Sequence, residues 1–459
     1  MDTQTAVSIN PATGDKIGEY ARISLAEAQR TAQLAHEAFL EWRERDFAQR
    51  GALVQRLGQL FLEGKEEYAR LATLEMGKTI VQARKEIEKC AWVCRYYAEN
   101  AEKLLADRTV ATEAARSYVT FMPLGVVLAV MPWNFPFYQV IRFAAPALMA
   151  GNTGVLKHAS NVQGCAAAIE ESFRRAGFPP GVFANLNMGA EDVGELIADP
   201  HIAAVTLTGS DPAGRSVAAI AGRHLKKTVL ELGGSDAYII LADVDLETAT
   251  ELALFGRLQN NGQTCIAAKR MVVLDGIYDR FIERFSEKMA GAAMGDPLEE
   301  NTYYGPLARI DLRDTLHRQV QKTIDQGGRL ICGGRIPEGR GAYYPATILA
   351  DVEPGMEAFE NELFGPVAAV IRARDEAQAI ALANKSRFGL GSGVIAGDRE
   401  RGERIARRLE AGSSFVNALV VSDPRLPFGG IKNSGYGREL SAYGICEFVN
   451  IKSVWVSGK

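Results

Sequence analysis

The stretch Gly125-Val126-Val127-Leu128-Ala129-Val130-Met131, ended by Pro132, decides the fold of this chain. It is an unbroken apolar run with the length of a buried β-strand, far short of the roughly 20 residues that cross a membrane. Further elements follow it: strands at 153–157, 182–186, 203–208 and 228–231, and helices at 137–150, 162–176, 190–198 and 212–223. Apolar strands separated by helices predict a parallel sheet buried on both faces, the doubly wound, Rossmann-like α/β arrangement.

A second series of strands and helices begins after Gly233-Gly234. The sequence predicts helices at 246–258 and 278–289, and strands at 237–241, 271–274, 329–332, 346–349, 368–372, 393–395 and 414–416. We therefore expect a second doubly wound α/β domain. This agrees with a length of 459 residues, which is too long for one compact core.

The first hundred residues have a different pattern. Ser24-Leu25-Ala26-Glu27 is a capping box that starts a helix, and apolar residues at helical spacing predict three more helices up to residue 105. We expect this helical layer to contribute packing rather than chemistry. Residues 117–122 alternate like an exposed strand and are expected to form a β-ribbon with residues near 109–112. The strand at 448–456 suits pairing with the edge of another subunit.

Composition and charge exclude several functions. The formal net charge is -4 and no long basic run occurs, so no nucleic acid is expected as a partner, and no membrane either. The six cysteines are scattered, which argues against a disulfide framework and favours a reducing, cytoplasmic location. Cys90 and Cys94 are four residues apart on a predicted helix, but no further His or Cys completes a site, so no metal is expected.

Polar side chains stand directly after strands of the first domain, where doubly wound sheets bind ligands. Asn134 offers a donor for an oxyanion, although asparagine and proline at this point also suit a plain turn. Lys157 is placed to bind ribose hydroxyls and Ser160 to discriminate between riboses. The simpler interpretation of Lys157 is a solvated surface lysine.

The next two strands also end in candidate site residues. Gly209 and Ser210 precede a helix whose N-terminal N–H groups can bind phosphate, although no complete G-x-G-x-x-G is present. Glu231 ends an apolar strand, where burial raises the pKa of a carboxyl and suits a general base. In the second domain, Glu362 is a candidate ribose ligand or a turn residue.

Cys265 follows the polar turn Gln259-Asn260-Asn261-Gly262-Gln263-Thr264. A thiolate is a good nucleophile for a carbonyl carbon, whereas an isolated cysteine is more often a small buried apolar residue. The candidate site residues at the strand ends favour the first interpretation. We therefore interpret Cys265 as a nucleophile held on a loop.

Together these motifs resemble the aldehyde dehydrogenase family over essentially the whole chain. The matching segments, in the family's order and approximate spacing, are Ile9-Asn10-Pro11-Ala12-Thr13-Gly14, Pro132-Trp133-Asn134-Phe135-Pro136, Thr208-Gly209-Ser210, Glu231-Leu232-Gly233-Gly234, Gly262-Gln263-Thr264-Cys265, Glu362-Leu363-Phe364-Gly365-Pro366 and Pro427-Phe428-Gly429-Gly430. The resemblance implies a homodimer or homotetramer. It also implies a cofactor-binding domain at 1–106 and 124–232, to which 434–446 returns, a catalytic domain at 233–433, and oligomerisation strands at 107–123 and 447–459.

The resemblance further implies a role for each matching residue. Cys265 attacks the carbon of an aldehyde to give a thiohemiacetal, and Asn134 and the Cys265 N–H hold its oxyanion. Glu231 activates the water that hydrolyses the resulting thioester. The residues implied to bind the cofactor, NADP or NAD, are Trp133, Lys157, Ser160, Gly209, Ser210, Leu232, Glu362 and Phe364.

Within the family the chain is most similar to the subgroup that oxidises succinate semialdehyde to succinate. Arg142 and Ser422 match residues that bind the substrate carboxylate there, although Arg142 also has the simpler interpretation of an ion pair within its helix. Gln259 stands where the subgroup has a second arginine, which favours weaker carboxylate binding or a broader specificity. Ser160 replaces the glutamate of NAD-preferring relatives, so we expect NADP to be accepted, with or without NAD.

Three alternatives stay open at this point. A broader-specificity aldehyde dehydrogenase is compatible with Gln259. A CoA-acylating semialdehyde dehydrogenase passes its acyl group to CoA, and Glu231 argues against it because that class usually lacks the acidic base. A non-catalytic scaffold would have lost Cys265, Glu231 or Asn134, and all three are present.

Overall fold

The computed structural model describes residues 5–458. Residues 1–4 of the predicted segment 1–106 and Lys459 of the predicted segment 447–459 lie outside the described residues. The amino-terminal part and the ribbon comprise β1 (Thr5–Ile9), β2 (Lys16–Ala21), α1 (Leu25–Trp42), α2 (Phe47–Glu63), α3 (Lys65–Met76), α4 (Ile80–Leu104), β3 (Arg108–Thr109) and β4 (Arg116–Pro123).

The chain begins with an antiparallel hairpin of β1 and β2, so the prediction of a helical layer over the whole first hundred residues was wrong at its start. The buried residues of β1 are Ala6 and Ser8, and such small side chains give no apolar alternation that would indicate a strand. Gly14, at φ +77°, turns the chain between the two strands.

Four helices follow the hairpin, as predicted. The capping box of α1 is confirmed, because the Ser24 N–H donates to Glu27 Oε2 at 2.8 Å and the Ser24 hydroxyl accepts from the Glu27 N–H at 3.3 Å. Helices α2, α3 and α4 pack on one another through buried apolar faces.

The first sheet is built on the stretch that begins at Val126. Its elements are β5 (Val126–Met131), α5 (Tyr138–Met149), β6 (Thr153–His158), α6 (Gln163–Ala176), β7 (Phe183–Asn185), α7 (Val193–Ala198), β8 (Ile202–Thr208), α8 (Asp211–Arg223) and β9 (Lys227–Glu231). Five parallel strands lie in the order β9-β8-β5-β6-β7. The chain runs from β5 outward to β7, returns to β8 beside β5 and continues to β9. This reversal confirms a doubly wound sheet, and ligands of such sheets bind beyond the carboxyl ends of the strands at the reversal.

The second sheet and the carboxyl-terminal part complete the chain. Their elements are β10 (Asp236–Ile240), α9 (Leu246–Leu258), β11 (Ala268–Leu274), α10 (Tyr278–Gly291), α11 (Ile310–Asp325), β12 (Arg329–Cys332), β13 (Thr347–Ala350), α12 (Glu357–Glu360), β14 (Val367–Ala373), α13 (Glu376–Asn384), β15 (Phe388–Gly389), β16 (Gly391–Ile395), α14 (Arg399–Ala406), β17 (Ser413–Val416), β18 (Ile431–Lys432), β19 (Gly435–Tyr436), α15 (Ser441–Ile445) and β20 (Val449–Val456). Seven strands lie in the order β12-β13-β14-β11-β10-β16-β17, and only β12 is antiparallel to its neighbour. The α/β fold class is therefore confirmed.

The end of the chain returns to the first sheet and then to the ribbon. Strand β19 pairs antiparallel with β9, and Gly435, at φ +106°, passes so close that an added Cβ would lie 2.0 Å from the Leu230 carbonyl oxygen. Strand β20 lies antiparallel along β4, with Val449 opposite Pro123 and Val456 opposite Arg116, and β3 flanks the other side of β4. The ribbon is thus a three-stranded sheet of one chain, in which β20 is an outer strand. Within residues 5–458, no helix is both long and apolar enough to cross a membrane.

A buried ion pair joins Lys78, just before helix α4, to Glu86 within α4, and Glu86 in turn contacts helix α5. The two side chains are 0% and 1% exposed. Glu86 Oε1 also accepts the N–H groups of Phe137 at 2.8 Å and Tyr138 at 2.9 Å, at the start of α5. Because the first N–H groups of a helix have no partner within it, Glu86 determines where α5 begins.

Replacing Lys78 by methionine is expected to lower the free energy of unfolding by about 3–5 kcal/mol, since Glu86 then stays buried without its counter-charge. Urea unfolding followed by tryptophan fluorescence measures this change. The matched control is Lys65→Met, which removes a partly exposed ion pair with Glu88 and is expected to have a far smaller effect. Equal losses in the two variants would contradict the importance given to the buried pair.

Candidate active site

Cys265 lies beyond a sharply turned segment that follows helix α9. Asn260, Asn261 and Gly262 have consecutive left-handed conformations, with φ of 53°, 58° and 74°. Asparagine and glycine are the residues that tolerate this conformation best. Gly262 is also required by space, because an added Cβ would lie 2.3 Å from the carbonyl carbon of Gly365. The polar turn predicted from the sequence is thus present, and Cys265 stands three residues before strand β11.

The side chains of this turn fasten it to distant segments. The Asn261 amide donates to the carbonyl oxygens of Gly77 at 2.7 Å and Pro306 at 2.8 Å, and its oxygen accepts from the Gly305 N–H at 2.7 Å. The Asn260 amide donates to the carbonyl oxygen of Asn134 at 2.9 Å. Each bond satisfies a buried polar group, so together they offset the cost of the left-handed backbone.

Lys269 holds the backbone on either side of the thiol. Its buried ammonium donates to the carbonyl oxygens of Thr264 at 2.9 Å and Cys265 at 2.6 Å, and it is paired with Glu362 at 3.0 Å. Glu362 also accepts the Gly234 N–H at 3.2 Å. Sequence reasoning missed Lys269, because a lysine in an apolar strand gives no sign of which groups it meets.

The Cys265 side chain is half-buried, and burial raises its pKa to about 12, with the charges of Lys269 and Arg142 opposing the shift. The thiol is therefore protonated at neutral pH in this structure. The Cys265 N–H has no hydrogen-bond partner among residues 5–458. It is free to meet an oxygen bound next to the sulfur.

Asn134 reaches the same loop from the end of β5. Its side-chain amide donates to the Gln263 carbonyl oxygen at 3.0 Å, and its side-chain oxygen has no partner in the described part of the chain. A side-chain amide carries two N–H donors, so one is left for a ligand. The structure therefore brings Asn134 to the segment that carries Cys265.

Glu231 ends β9 between Thr208 of β8 and Gly435 of β19. Its carboxyl is buried, and neither oxygen has a hydrogen-bond partner within residues 5–458. Burial, and then the nearby Glu439 carboxylate, raise the pKa of Glu231 well above its usual range, while Arg142 opposes the shift. A carboxyl with a raised pKa is a stronger base once it ionises, which suits proton transfer at neutral pH.

Arg142 lies in helix α5 and is paired across the structure. Its guanidinium contacts Glu439 at 2.5 Å, and both side chains are buried. The simpler interpretation, an ion pair within its own helix, was wrong, because the partner lies after β19. Glu439 was not predicted. It directly follows the glycine-rich carboxyl-terminal turn (residues 428–437), and only the pairing of β19 in that turn with β9 brings Glu439 to Arg142.

A cavity of about 160 Å³ brings Cys265 together with the three residues predicted to bind substrate. Arg142, Gln259 and Ser422 all line it, beside the aromatic rings of Phe135, Tyr138 and Phe428. Helix α4 contributes Gln82, Lys85, Glu86 and Lys89 to the same wall. The prediction that the amino-terminal helices contribute only packing was therefore wrong for α4. The sequence showed its apolar face, which packs in the core, but not that its polar face borders the cavity.

Four residues predicted to bind a cofactor follow four adjacent parallel strands. Trp133, Lys157, Gly209 and Leu232 stand after or at the carboxyl ends of β5, β6, β8 and β9. The Lys157 side chain is half-buried, and burial followed by the charge of Arg22 lowers its pKa. These strand ends lie at the reversal of the doubly wound sheet.

The remaining cofactor candidates are placed less uniformly. Phe364 lies edge-on to Trp133, with ring centroids 5.8 Å apart. Ser210 is exposed and caps helix α8 through its hydroxyl, which accepts the Ala213 N–H at 3.4 Å. Ser160 is exposed and borders a separate cavity of about 450 Å³, beside Asn161 and Arg309.

The fold and this arrangement define an aldehyde dehydrogenase. The aldehyde dehydrogenase family matches residues 1–454, and the chain belongs to this family.

Its relatives are more specific. A probable succinate-semialdehyde dehydrogenase (NADP+) of Synechocystis sp. is 49% identical over 450 residues, which cover 98% of this chain and 99% of that protein. The succinate semialdehyde dehydrogenase (NAD(P)+) Sad of Escherichia coli is 47% identical, with coverage of 98% and 97%. The crystal structure of succinic semialdehyde dehydrogenase from Streptococcus pyogenes in complex with NADP+ has a TM-score of 0.97 at 36% identity, covering 99% of this chain and 100% of that one.

Alkylation of Cys265 is expected to accelerate about tenfold for each pH unit from 7 to 10 without a plateau, because only the thiolate reacts and the thiol pKa is about 12. Mass spectrometry of the Cys265 peptide after timed exposure to iodoacetamide measures the rate. The protein should be free of cofactor. Cys90, Cys94 and Cys165 are fully buried internal controls and should stay unmodified. A plateau near pH 8 would contradict the burial of the sulfur.

Proposed function

We propose that this enzyme oxidises succinate semialdehyde to succinate with NADP, and that it also accepts NAD. The observation that carries the proposal is the cavity in which Cys265 faces Arg142, Lys89 and Ser422, because a nucleophile and cationic groups in one small space suit an aldehyde that bears a carboxylate. The names of relatives at 49% and 47% identity support the same substrate and cofactors.

Catalysis begins with bond formation at the sulfur of Cys265. The thiol releases its proton to solvent water, and the thiolate adds to the aldehyde carbon to give the oxyanion of a thiohemiacetal. The free N–H of Cys265 and the second N–H of the Asn134 amide stabilise the oxyanion that forms. The Asn260 bond to the Asn134 carbonyl holds the two donors in place.

The residues at the carboxyl ends of the first sheet fit a dinucleotide. Ser210 opens helix α8, whose N-terminal N–H groups suit a pyrophosphate, and the half-buried Lys157 suits ribose hydroxyls. Trp133, Leu232, Glu362 and Phe364 complete the proposed binding surface. A bound NADP or NAD supplies the hydride acceptor that turns the thiohemiacetal into a thioester.

Glu231 completes turnover by removing a proton from the water that attacks the thioester. Its two oxygens are free of partners in the described residues and are thus available to a water molecule. Gly429 keeps this space open, since an added Cβ would lie 2.6 Å from Glu231 Oε1. Arg142 favours the ionised base, and the Glu439 charge limits that effect.

We also propose that segments 1–106, 124–232 and 434–446 form the cofactor-binding domain and 233–433 the catalytic domain. The strands in 107–123 and 447–459 would join subunits in a homodimer or homotetramer. Exposed Ile451 and Trp455 on the outer strand β20 support this assignment. The six free thiols fit a cytoplasmic enzyme.

The proposal is tested with a panel of succinate semialdehyde, glutarate semialdehyde and butanal, each with NADP and NAD and with and without CoA. We expect the highest kcat/KM for succinate semialdehyde with NADP, and free succinate as product. Formation of succinyl-CoA would favour the CoA-acylating alternative, and similar values for all aldehydes would favour broad specificity.

Replacing Glu231 by glutamine is expected to lower kcat about 100-fold or more, because the amide cannot take a proton from water. Acylation is retained, so rapid mixing should show a burst of one reduced cofactor for each Cys265. Glu195→Gln on the exposed face of α7 is the control and should keep kcat. Loss of the burst together with turnover would contradict a role confined to hydrolysis.

Replacing Ser160 by glutamate is expected to lower kcat/KM for NADP about tenfold and to leave the value for NAD nearly unchanged, since a carboxylate repels the 2′-phosphate. Steady-state kinetics with both cofactors measure the ratio. Ser160→Ala introduces no charge and should keep the NADP preference. An unchanged ratio in Ser160→Glu would place the 2′-phosphate away from residue 160.

A further inference from the structure

We infer that Lys89 of helix α4 is the second cationic ligand of the substrate carboxylate and binds it together with Arg142. This assignment rests on the proposed function. Gln259 stands where the succinate semialdehyde subgroup has its second arginine, so the sequence shows only one cationic ligand for the carboxylate. The second charge would come from a different element of the fold.

Lys89 is held where a ligand of Cys265 would meet it. Its ammonium donates to the Ser422 hydroxyl at 2.7 Å and lies 4.6 Å from the centre of the Tyr138 ring. The hydroxyls of Ser422 and Tyr138 are 2.9 Å apart. All three residues line the cavity that contains Cys265, Arg142 and Gln259.

The ammonium of Lys89 has no carboxylate within 4.0 Å among residues 5–458, although the charges of Glu86 and Asp423 act on its pKa. Glu86 is paired with Lys78, and Asp423 is paired with Arg425 at 2.6 Å. An ammonium has three donors, and Ser422 takes one of them. Two donors therefore stay available for a ligand.

Arg142 differs from Lys89 in this respect. Its charge is balanced by Glu439, so an added carboxylate would meet a guanidinium that already has a partner. Lys89, together with the more exposed Lys85, thus gives the cavity its net positive charge. The carboxylate of an anionic substrate would supply the counter-charge that the partly buried Lys89 ammonium lacks. This pairing is favourable because a buried charge without a partner is costly.

Burial lowers the pKa of Lys89 to about 8, and the charge of Arg142 adds to this shift. Cys90 and Glu86 on the same helix, and Asp423 beside Ser422, act in the opposite direction. Tyr138 faces the ammonium with its ring, and Lys85 lies on the same cavity wall. A bound carboxylate stabilises the charged lysine, so affinity for the carboxylate should decrease as the pH rises above about 8.

The first experiment compares succinate semialdehyde with butanal, which has the same chain length and no carboxylate. Lys89→Met is expected to lower kcat/KM for succinate semialdehyde about 10- to 100-fold, mainly through KM, and to change the value for butanal less than about threefold. Lys89→Arg should restore most of the loss. Lys103→Met, an exposed lysine near the end of the same helix, is the control and should keep both values.

The second experiment uses pH. The ionisations of Cys265 and Glu231 affect kcat/KM equally for the two aldehydes, so their effect cancels in the ratio of the two values. In the wild-type enzyme the ratio should fall about tenfold for each pH unit above about 8, because neutral lysine no longer attracts the carboxylate. In Lys89→Arg it should stay constant to pH 10.

Equal losses for both aldehydes in Lys89→Met, or a ratio that does not change with pH, would overturn the assignment and leave Lys89 a structural residue. Failure of the proposed function is a different result: the wild-type enzyme would show no preference for succinate semialdehyde over butanal. In that case the affinity of succinate itself, measured by calorimetry, decides. A loss of at least about tenfold in Lys89→Met supports the assignment, and no loss overturns it.

Discussion

The position of Cys265 depends on one backbone constraint, the run of left-handed residues Asn260, Asn261 and Gly262. This turn redirects the chain after α9 so that Cys265 faces a cavity rather than the core. The turn is stable because Asn261 satisfies three backbone groups of the segments around Gly77 and Pro306. The turn that precedes Cys265 is thus anchored both to the end of helix α3 and to the segment between α10 and α11.

Buried charges set the chemistry of the surrounding space. Lys269 and Glu362 neutralise each other and fasten the backbone of Cys265, while Arg142 and Glu439 form a second pair. Glu231 has no such partner, and burial, followed by the charge of Glu439, raises its pKa. The Arg142–Glu439 pair therefore acts on the pKa of Glu231 from both sides, since Arg142 lowers it and Glu439 raises it.

Much of this arrangement was predictable from short segments. The apolar runs beginning at Val126 predicted the doubly wound sheet, and the segments around Asn134, Glu231 and Cys265 indicated the family, which the comparisons confirm. Weakly patterned elements were missed. Helix α11 buries only Leu316, Val320 and Thr323, so its sequence is dominated by polar residues and lacks a broad apolar face. Strand β1 was missed for a related reason, because alanine and serine fill its buried positions.

The sequence by itself determined most elements of the two sheets, the family and the candidate nucleophile Cys265, because strand length, helical periodicity and short motifs are local properties. Tertiary structure alone decided the partners. It paired Arg142 with Glu439 rather than within its own helix, placed Lys269 under the Cys265 loop, and brought Lys89 of an apparently structural helix to Ser422. Charge interactions act through space, and Arg142 and Glu439, like Lys89 and Ser422, lie far apart in the chain. Only the packing of α4 and the carboxyl-terminal turn against the first sheet brings them within contact of each other.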